Sequence, residues 1–118
     1  MSEEFIRVAT EEINSELDKI SNILTLCHSD KDVFNKSSEI EKHLHKIKGL
    51  APMMGKTQVG EISSILDSIL KQVIDGKTIN DVFGIIKQST DYMQKNMQDD
   101  DFDLRIFKNE IKTKYSAS

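Results

Sequence analysis

The chain has 118 residues, of which 31% are charged and 37% hydrophobic, and its formal net charge is −4. This length fits a single domain with its own core, and the composition is typical of a folded helical protein rather than a disordered one. The acidic balance argues against nucleic acid as a partner, because binding to phosphates needs a basic surface.

The single cysteine, Cys27, excludes a disulfide within the chain and is typical of a reducing compartment. The apolar runs are too short to span a bilayer, and the acidic start MSEEFIRVATEE does not resemble a signal peptide. We therefore expect a cytoplasmic protein that does not insert into membranes. We also expect a monomer, because a helical bundle of this size can close its own core.

The first two segments have apolar residues in steps of three and four, which predicts amphipathic helices. Ser2 is the expected N-cap of the first helix, and two glutamates follow it where they favour the helix dipole. A turn is expected at residues 28–31, where the sequence HSDK interrupts the pattern. The second segment then continues to Gly55.

The third segment runs from about Thr57 to Gly76, which is the expected C-terminal cap. The fourth begins at Thr78, because an acidic residue three positions later resembles a capping box. Four amphipathic segments joined by short turns predict an all-α fold, an antiparallel up-down four-helix bundle over residues 1–98. Residues 99–118 then form either a short fifth helix or a linker or tail.

The stretch HLHKIKGLAPMMG, residues 43–55, contains the pattern with the clearest functional meaning. His45 lies about 100° around the helix from the core residue Leu44, on a polar stripe. Lys48 follows one turn later, and Gly49 adds a position without a side chain. A glycine inside a helix costs about 1 kcal/mol relative to alanine, which suggests that something approaches the backbone there. Such a frame suits a nucleophile that accepts an anionic group and offers it to a bulky partner.

Simpler interpretations of the same residues stay open. A histidine and a lysine on a polar helix face are often only solvated, and Gly49 is also explained by a close contact between two helices. His43 lacks the same frame, because the residue four positions later is Ile47 rather than a glycine. His28 falls in the expected turn.

The segment HKIKGLAPMMG resembles the H-x-[LI]-K-G-x-[AS]-x-x-x-G signature of histidine-phosphotransfer (HPt) domains. Within that family it is most similar to the N-terminal phosphotransfer domain of chemotaxis histidine kinases of the CheA type. The likeness extends from the acidic first segment through GEISSILDSILKQVIDGK into the fourth, so it covers nearly the whole chain.

The resemblance implies a role for each matching residue. His45 is the phosphoryl acceptor, Lys48 steadies the phosphoryl oxygens by its charge, and Gly49 leaves room for the docking partner. A glutamate of the family's third helix hydrogen-bonds the imidazole, and the matching residue here is Asp67, which lies 22 positions after His45. A second histidine is often found one turn before that acid, and Ser64 occupies its position.

Three differences from the family pattern affect the site. Asp67 is one methylene shorter than glutamate, so its contact with His45 is expected to be longer or bridged by water. Ser64 removes one donor from the site. Pro52 lacks the N–H that would bond the carbonyl of Lys48, so we expect the helix to kink or to end there.

The resemblance implies a phosphoryl carrier of a chemotaxis-type two-component system. His45 would take the group from the ATP-binding domain of a histidine kinase and pass it to an aspartate of a response-regulator receiver. The chain has no glycine-rich ATP loop, so ATP and Mg²⁺ belong to the partners, and no cofactor of its own is expected. It is therefore an incomplete enzyme, either a free-standing protein or the N-terminal part of a kinase.

Two rival functions are considered. A di-metal bundle needs Glu-x-x-His, but the residues three positions before His43 and His45 are Ile40 and Lys42, so no metal site is predicted. A catalytically silent four-helix bundle that serves only as an interaction module is compatible with the changes at Asp67 and Ser64. The exposure of His45 and its distance from Asp67 help to discriminate this alternative from a phosphoryl carrier.

Overall fold

The structure is a computed structural model and describes residues 2–115. This range contains a short 3₁₀ helix, Pro52–Met54, no strand, and five α-helices: α1 Glu3–Leu24, α2 Asp30–Leu50, α3 Thr57–Ile74, α4 Val82–Gln98 and α5 Arg105–Tyr115. The predicted all-α class is confirmed for these residues. Residues 116–118 of the predicted 99–118 segment, like residue 1, lie outside the described range. Within that range no helix combines the length and the apolar composition needed to cross a membrane.

The first two helices begin at serine caps. The hydroxyl of Ser2 accepts a hydrogen bond from the Phe5 amide at 3.1 Å, as predicted. The hydroxyl of Ser29 accepts one from the Asp32 amide at 3.3 Å. The turn between the helices therefore covers residues 25–29, which is earlier than the predicted 28–31. The reason is that Ser29 caps α2, so the helix already begins at Asp30.

Pro52 ends α2 rather than kinking it. The helix stops at Leu50, and the 3₁₀ turn that follows closes at Gly55, whose φ of 73° is in the left-handed region. The proline ring then packs on α3, since a β-carbon built on Gly60 would lie 3.0 Å from Pro52 Cδ. The end of α2 is thus fixed against α3 within two turns of His45.

The end of α3 agrees with the sequence. Gly76 has φ 101°, and its amide bonds the carbonyl of Val73 at 3.0 Å. The Lys77 amide bonds the Gln72 carbonyl, also at 3.0 Å, which completes a Schellman motif.

The predicted capping box at Thr78 is wrong, because α4 begins at Val82, four residues later. The residue before the helix, Asp81, has a left-handed φ of 66° and its side chain caps nothing. Asp30 of α2 takes over that role: its carboxylate accepts hydrogen bonds from the amides of Asp81 at 2.8 Å and Phe83 at 2.9 Å. A cap supplied from another helix leaves no local sequence signal.

The C-terminal segment forms a fifth helix rather than a tail over the described residues. Leu104 and Ile111 are buried, and α5 packs on α3. The Lys108 ammonium also lies 2.7 Å from the Glu61 carboxylate of α3. One cluster of apolar side chains therefore joins this helix to the others.

The most extensive helix contact is between α2 and α3, and α1 packs against both α2 and α4. Aliphatic residues that are fully buried fill the space between them, namely Ile13, Leu17, Ile20, Ile40, Leu44, Ile47, Ile62, Leu66 and Leu70. The α2–α3 pair carries the residues singled out in the sequence, so their relative positions depend on this packed contact.

Candidate functional site

His45 projects from α2 into solvent. Its neighbours Leu44 and Ile47 are fully buried and fix the rotation of the helix, while the His45 side chain keeps 63% of its surface exposed. This exposure leaves the imidazole accessible to a second molecule.

Two carboxylates approach the same ring nitrogen of His45 from two helices. Asp67 Oδ2 of α3 lies 3.7 Å from Nδ1, and Glu41 Oε2, one turn earlier on α2, lies 3.8 Å from it. Both distances exceed a direct hydrogen bond by a few tenths of an ångström. The other nitrogen, Nε2, lies on the opposite edge of the ring, so the edge that carries Nε2 is the one left for a reacting group.

Asp67 is buried, with 1% of its side chain exposed, and two lysines offset its charge. Lys71 Nζ lies 3.0 Å and Lys48 Nζ 3.5 Å from Oδ2. Neither carboxylate oxygen has a hydrogen bond of favourable geometry, so the compensation is mainly ionic. Lys48 thus stands beside the imidazole with its charge directed to the acid that faces the ring.

The charges of the site act in opposite directions on its two acids. Burial would raise the pKa of Asp67, but the neighbouring Glu41 carboxyl and the Lys71 and Lys48 charges outweigh burial and hold that pKa below its ordinary value. The pKa of Glu41 is raised, chiefly because the Asp67 carboxylate favours a protonated Glu41 that can donate to it, and also because Glu41 is partly buried. The interaction between the two acids therefore favours the ionised form of Asp67 over that of Glu41.

Gly49 and Ser64 occupy different surroundings. Gly49 is exposed, and a β-carbon built there would meet no atom within 4 Å. A close contact between helices of this chain is therefore not the reason for this glycine. Ser64 lies half-buried on α3, one turn before Asp67, and among residues 2–115 it makes no hydrogen bond with His45, Lys48 or Asp67.

His43 lies two residues before His45 but belongs to a buried pair. Its Nδ1 is 2.7 Å from Oε1 of Glu16, a residue of α1 with no exposed surface. Lys19 and Lys46 also approach the Glu16 carboxylate, at 3.1 and 3.8 Å. Burial would raise the pKa of Glu16, but the hydrogen bonds from His43 and Lys19 hold it below its ordinary value. His43 therefore joins α1 to α2.

A metal-ligand geometry is present in outline. One ligand atom each of Glu41, His45 and Asp67 lie within 4.8 Å of one another. The two lysines beside Asp67 already offset the negative charge that a divalent cation would require. The donor set thus resembles a metal site less than it resembles a histidine whose Nδ1 faces acids.

Three residues at these clusters were not assigned a role from the sequence. Glu41 is four residues before His45 and Lys71 four residues after Asp67, so the spacing that joins adjacent helical turns could have indicated both. Glu16 falls between Ile13 and Ile20 on the apolar stripe of α1, and a carboxylate at that position needs a buried partner.

Comparison of this chain with models of protein families, with curated proteins and with solved structures found no match.

Proposed function

We propose that this protein is a phosphoryl carrier of the HPt type, with His45 as the residue that is phosphorylated. The observation that carries the proposal is the environment of His45. Among residues 2–115, the acids within 4 Å of this exposed imidazole lie at Nδ1. A lysine follows one turn later on the helix, and an open glycine lies one turn along the same face. A histidine retained for packing would instead be covered and directly bonded, as His43 is.

The chemistry follows from the orientation of the ring. With the Nδ1 proton directed to the acids, the Nε2 lone pair attacks the γ-phosphorus of ATP held by a kinase domain, and the bond to the ADP oxygen breaks. The imidazole then carries positive charge, which the Asp67 carboxylate stabilises. In the second transfer a receiver aspartate attacks phosphorus, the P–N bond breaks, and His45 leaves as neutral imidazole with its Nδ1 proton retained.

Lys48 and Gly49 have supporting roles in this proposal. The Lys48 ammonium lies 3.5 Å from the same Asp67 oxygen that faces the ring, and 40% of its side chain is exposed. In the proposal it turns its charge towards the phosphoryl oxygens. Gly49 leaves the backbone of α2 bare beside His45, so that a receiver or a kinase domain can approach. Ser64 is assigned to the same docking face, and Mg²⁺ and ATP are contributed by the partners.

We infer that α1 to α4 form an antiparallel up-down bundle, as in the family that the sequence resembles. Short connections join successive helices, and α1 also packs on α4, which closes the ring of neighbours. In this arrangement α5 is an addition against α3, and the isolated chain is a monomer in a cytoplasmic signalling system.

The first experiment is a phosphorylation assay read by intact mass. The chain would be incubated with ATP and a chemotaxis-type kinase domain, next to the His45→Gln and His43→Gln variants. We expect one added phosphoryl group that is acid-labile and base-stable, retained in His43→Gln and absent in His45→Gln. A small-molecule phosphodonor would be used in parallel, because it does not depend on kinase recognition.

The two arms separate the possible failures. Phosphorylation by the small donor alone would support His45 as an acceptor and assign the failure to an unmatched kinase. Absence of phosphate in both arms, with a control domain phosphorylated, would contradict the carrier function and favour a silent interaction module. Equal labelling of His45→Gln and the natural chain would place the reaction elsewhere.

A further inference from the structure

The acid expected to orient the imidazole does not reach it. Asp67 Oδ2 stops 3.7 Å from His45 Nδ1, and Asp67 is held in place by burial and by Lys71 at 3.0 Å. Rotation towards the ring would lengthen the ion pair between the buried Asp67 and the half-exposed Lys71. Asp67 therefore does not provide an acceptor at hydrogen-bond distance from the Nδ1 proton, which a positioned imidazole needs.

Glu41 is the only other acid that approaches His45 among residues 2–115. Its Oε2 lies 3.8 Å from Nδ1, and its longer side chain starts from α2 itself, four residues before the ring. About 18% of the side chain is exposed, so it can move more freely than Asp67. The distance that remains to a direct hydrogen bond is a few tenths of an ångström.

From this geometry we propose that Glu41 is a second positioning residue for His45 and shares the Nδ1 proton with Asp67. The shared arrangement replaces the single longer acid that the third helix lacks. This inference rests on the proposed function for its effect on phosphoryl transfer, whereas its effect on the ring can be measured without any transfer.

The surrounding charges explain why both acids are tolerated. Among residues 2–115, the charged or titratable groups within 4.0 Å of the two carboxylates are Lys48 on α2, Lys71 on α3 and the imidazole itself. The lysines favour the ionised form of Asp67, and the pKa of Glu41 is raised chiefly by its interaction with the Asp67 carboxyl. When phosphorylation makes the ring positive, both carboxylates face that charge at Nδ1.

The decisive measurement is the tautomer of the His45 ring in the natural, unphosphorylated chain. Nitrogen-15 shifts at about pH 8, above the usual range of imidazole titration, report which ring nitrogen carries the proton. We expect a predominance of the Nδ1–H form. Glu41→Gln should reduce it, and Glu41→Gln with Asp67→Asn should bring it to the ratio shown by the exposed His28 in the same spectrum.

The matched control is Glu39→Gln, which removes the same charge from an exposed position of the same helix. It should leave the His45 tautomer unchanged. In the rate of phosphoryl acceptance, Glu41→Gln should cost about fivefold, the size of one ordinary hydrogen bond, and Glu39→Gln nothing measurable. Asp67→Glu lengthens the other acid. In that background, Glu41→Gln should change neither the His45 tautomer ratio nor the rate of phosphoryl acceptance.

The outcomes are distinguishable. An unchanged tautomer ratio in Glu41→Gln would overturn the proposal, even if the rate fell. A shifted ratio in a chain that no donor phosphorylates would support the role of Glu41 at the ring while contradicting the carrier function. Equal shifts in Glu41→Gln and Glu39→Gln would also overturn it, because the effect would then be one of net charge alone.

Discussion

Two histidines, two residues apart on α2, differ in their burial and in their distance from the nearest carboxylates. His43 is mostly buried and bonds Glu16 at 2.7 Å, which is a direct hydrogen bond across two helices. His45 is exposed and its acids stop at 3.7 and 3.8 Å. The same side-chain chemistry thus serves packing in one place and is left free to react in the other. Burial and contact distance distinguish the two roles, whereas residue type does not.

The largest expected effect is a contrast between the two histidine variants: one should lose phosphoryl acceptance and the other should lose stability. His45→Gln should abolish phosphoryl acceptance and change the free energy of unfolding by less than about 0.5 kcal/mol, as for an exposed residue. His43→Gln should leave acceptance intact and destabilise the fold by about 2 kcal/mol, because Glu16 loses a direct partner. Intact mass and urea unfolding measure the two effects; loss of acceptance in both variants would erase the distinction.

The buried pair can be tested further by replacing both partners. His43→Leu alone should cost about 3 kcal/mol, since it leaves a buried carboxylate with weaker compensation. The double variant Glu16→Met with His43→Leu should recover most of that loss, because two apolar side chains of similar size can pack in the same place. Denaturant unfolding of the single and double variants gives the coupling directly, and simple additivity would contradict it.

Two helical glycines, Gly49 of α2 and Gly60 of α3, extend the comparison to the backbone. Gly49→Ala should stabilise the chain by about 1 kcal/mol, because it is helical and its β-carbon meets open space. Gly60→Ala has the same helix-propensity gain, but its β-carbon would lie 3.0 Å from the Pro52 ring. We expect overpacking of about 2 kcal/mol to outweigh that gain and to give a net destabilisation of about 1 kcal/mol. Thermal unfolding tests the opposite signs. In a receiver-transfer assay, a bulkier Gly49→Leu should slow transfer despite a stable fold.

The smallest effect is a difference in the pH dependence of stability. The lowered pKa of Glu16 gives a stabilisation that is present above its unfolded-state value and is lost as the pH falls through its folded value. The raised pKa of Glu41 acts in reverse, since its contribution is full below the unfolded-state value and is lost as the pH rises. Relative to the natural chain, Glu41→Gln should therefore gain up to about 1 kcal/mol at neutral pH and nothing in acid.

Glu16→Gln provides the matching experiment at the other cluster. It should lose stability relative to the natural chain at neutral pH, and the difference should shrink as the pH falls below about 4. Unfolding curves measured between about pH 3 and 8 would show both trends. Parallel curves for the two variants would contradict the assignment of opposite pKa shifts.

Regular spacing made most of the helices predictable, because the apolar steps of three and four are a local property of α1, α2 and α3. The fifth helix, α5, was predictable as one of two alternatives from the apolar spacing of Leu104, Phe107, Ile111 and Tyr115. The start of α4 was not, because its cap comes from Asp30, a residue far away in the sequence. A local pattern at Thr78 pointed to the wrong place.

The candidate site shows a similar division. His45, Lys48 and Gly49 share one helix, so their mutual positions follow from helical geometry. The approach of Asp67 depends on how α2 and α3 pack, and the resemblance to HPt domains supplied that expectation. Three features depend on how the helices pack together. They are the 3.7 Å distance between Asp67 and His45, the ion pair of Asp67 with Lys71, and the burial of Glu16. These features required the structure.

The hydrogen bonds that Asp30 accepts from the start of α4 affect how this protein folds and how its amides exchange with solvent. The amides of Asp81 and Phe83 at the start of α4 bond a carboxylate 51 and 53 positions earlier in the chain. Neither bond can form until a large loop has closed, so the first turn of α4 acquires its protection late. Because separation of α2 from α4 removes both bonds together, these amides should exchange with solvent as one cooperative unit with the start of α2.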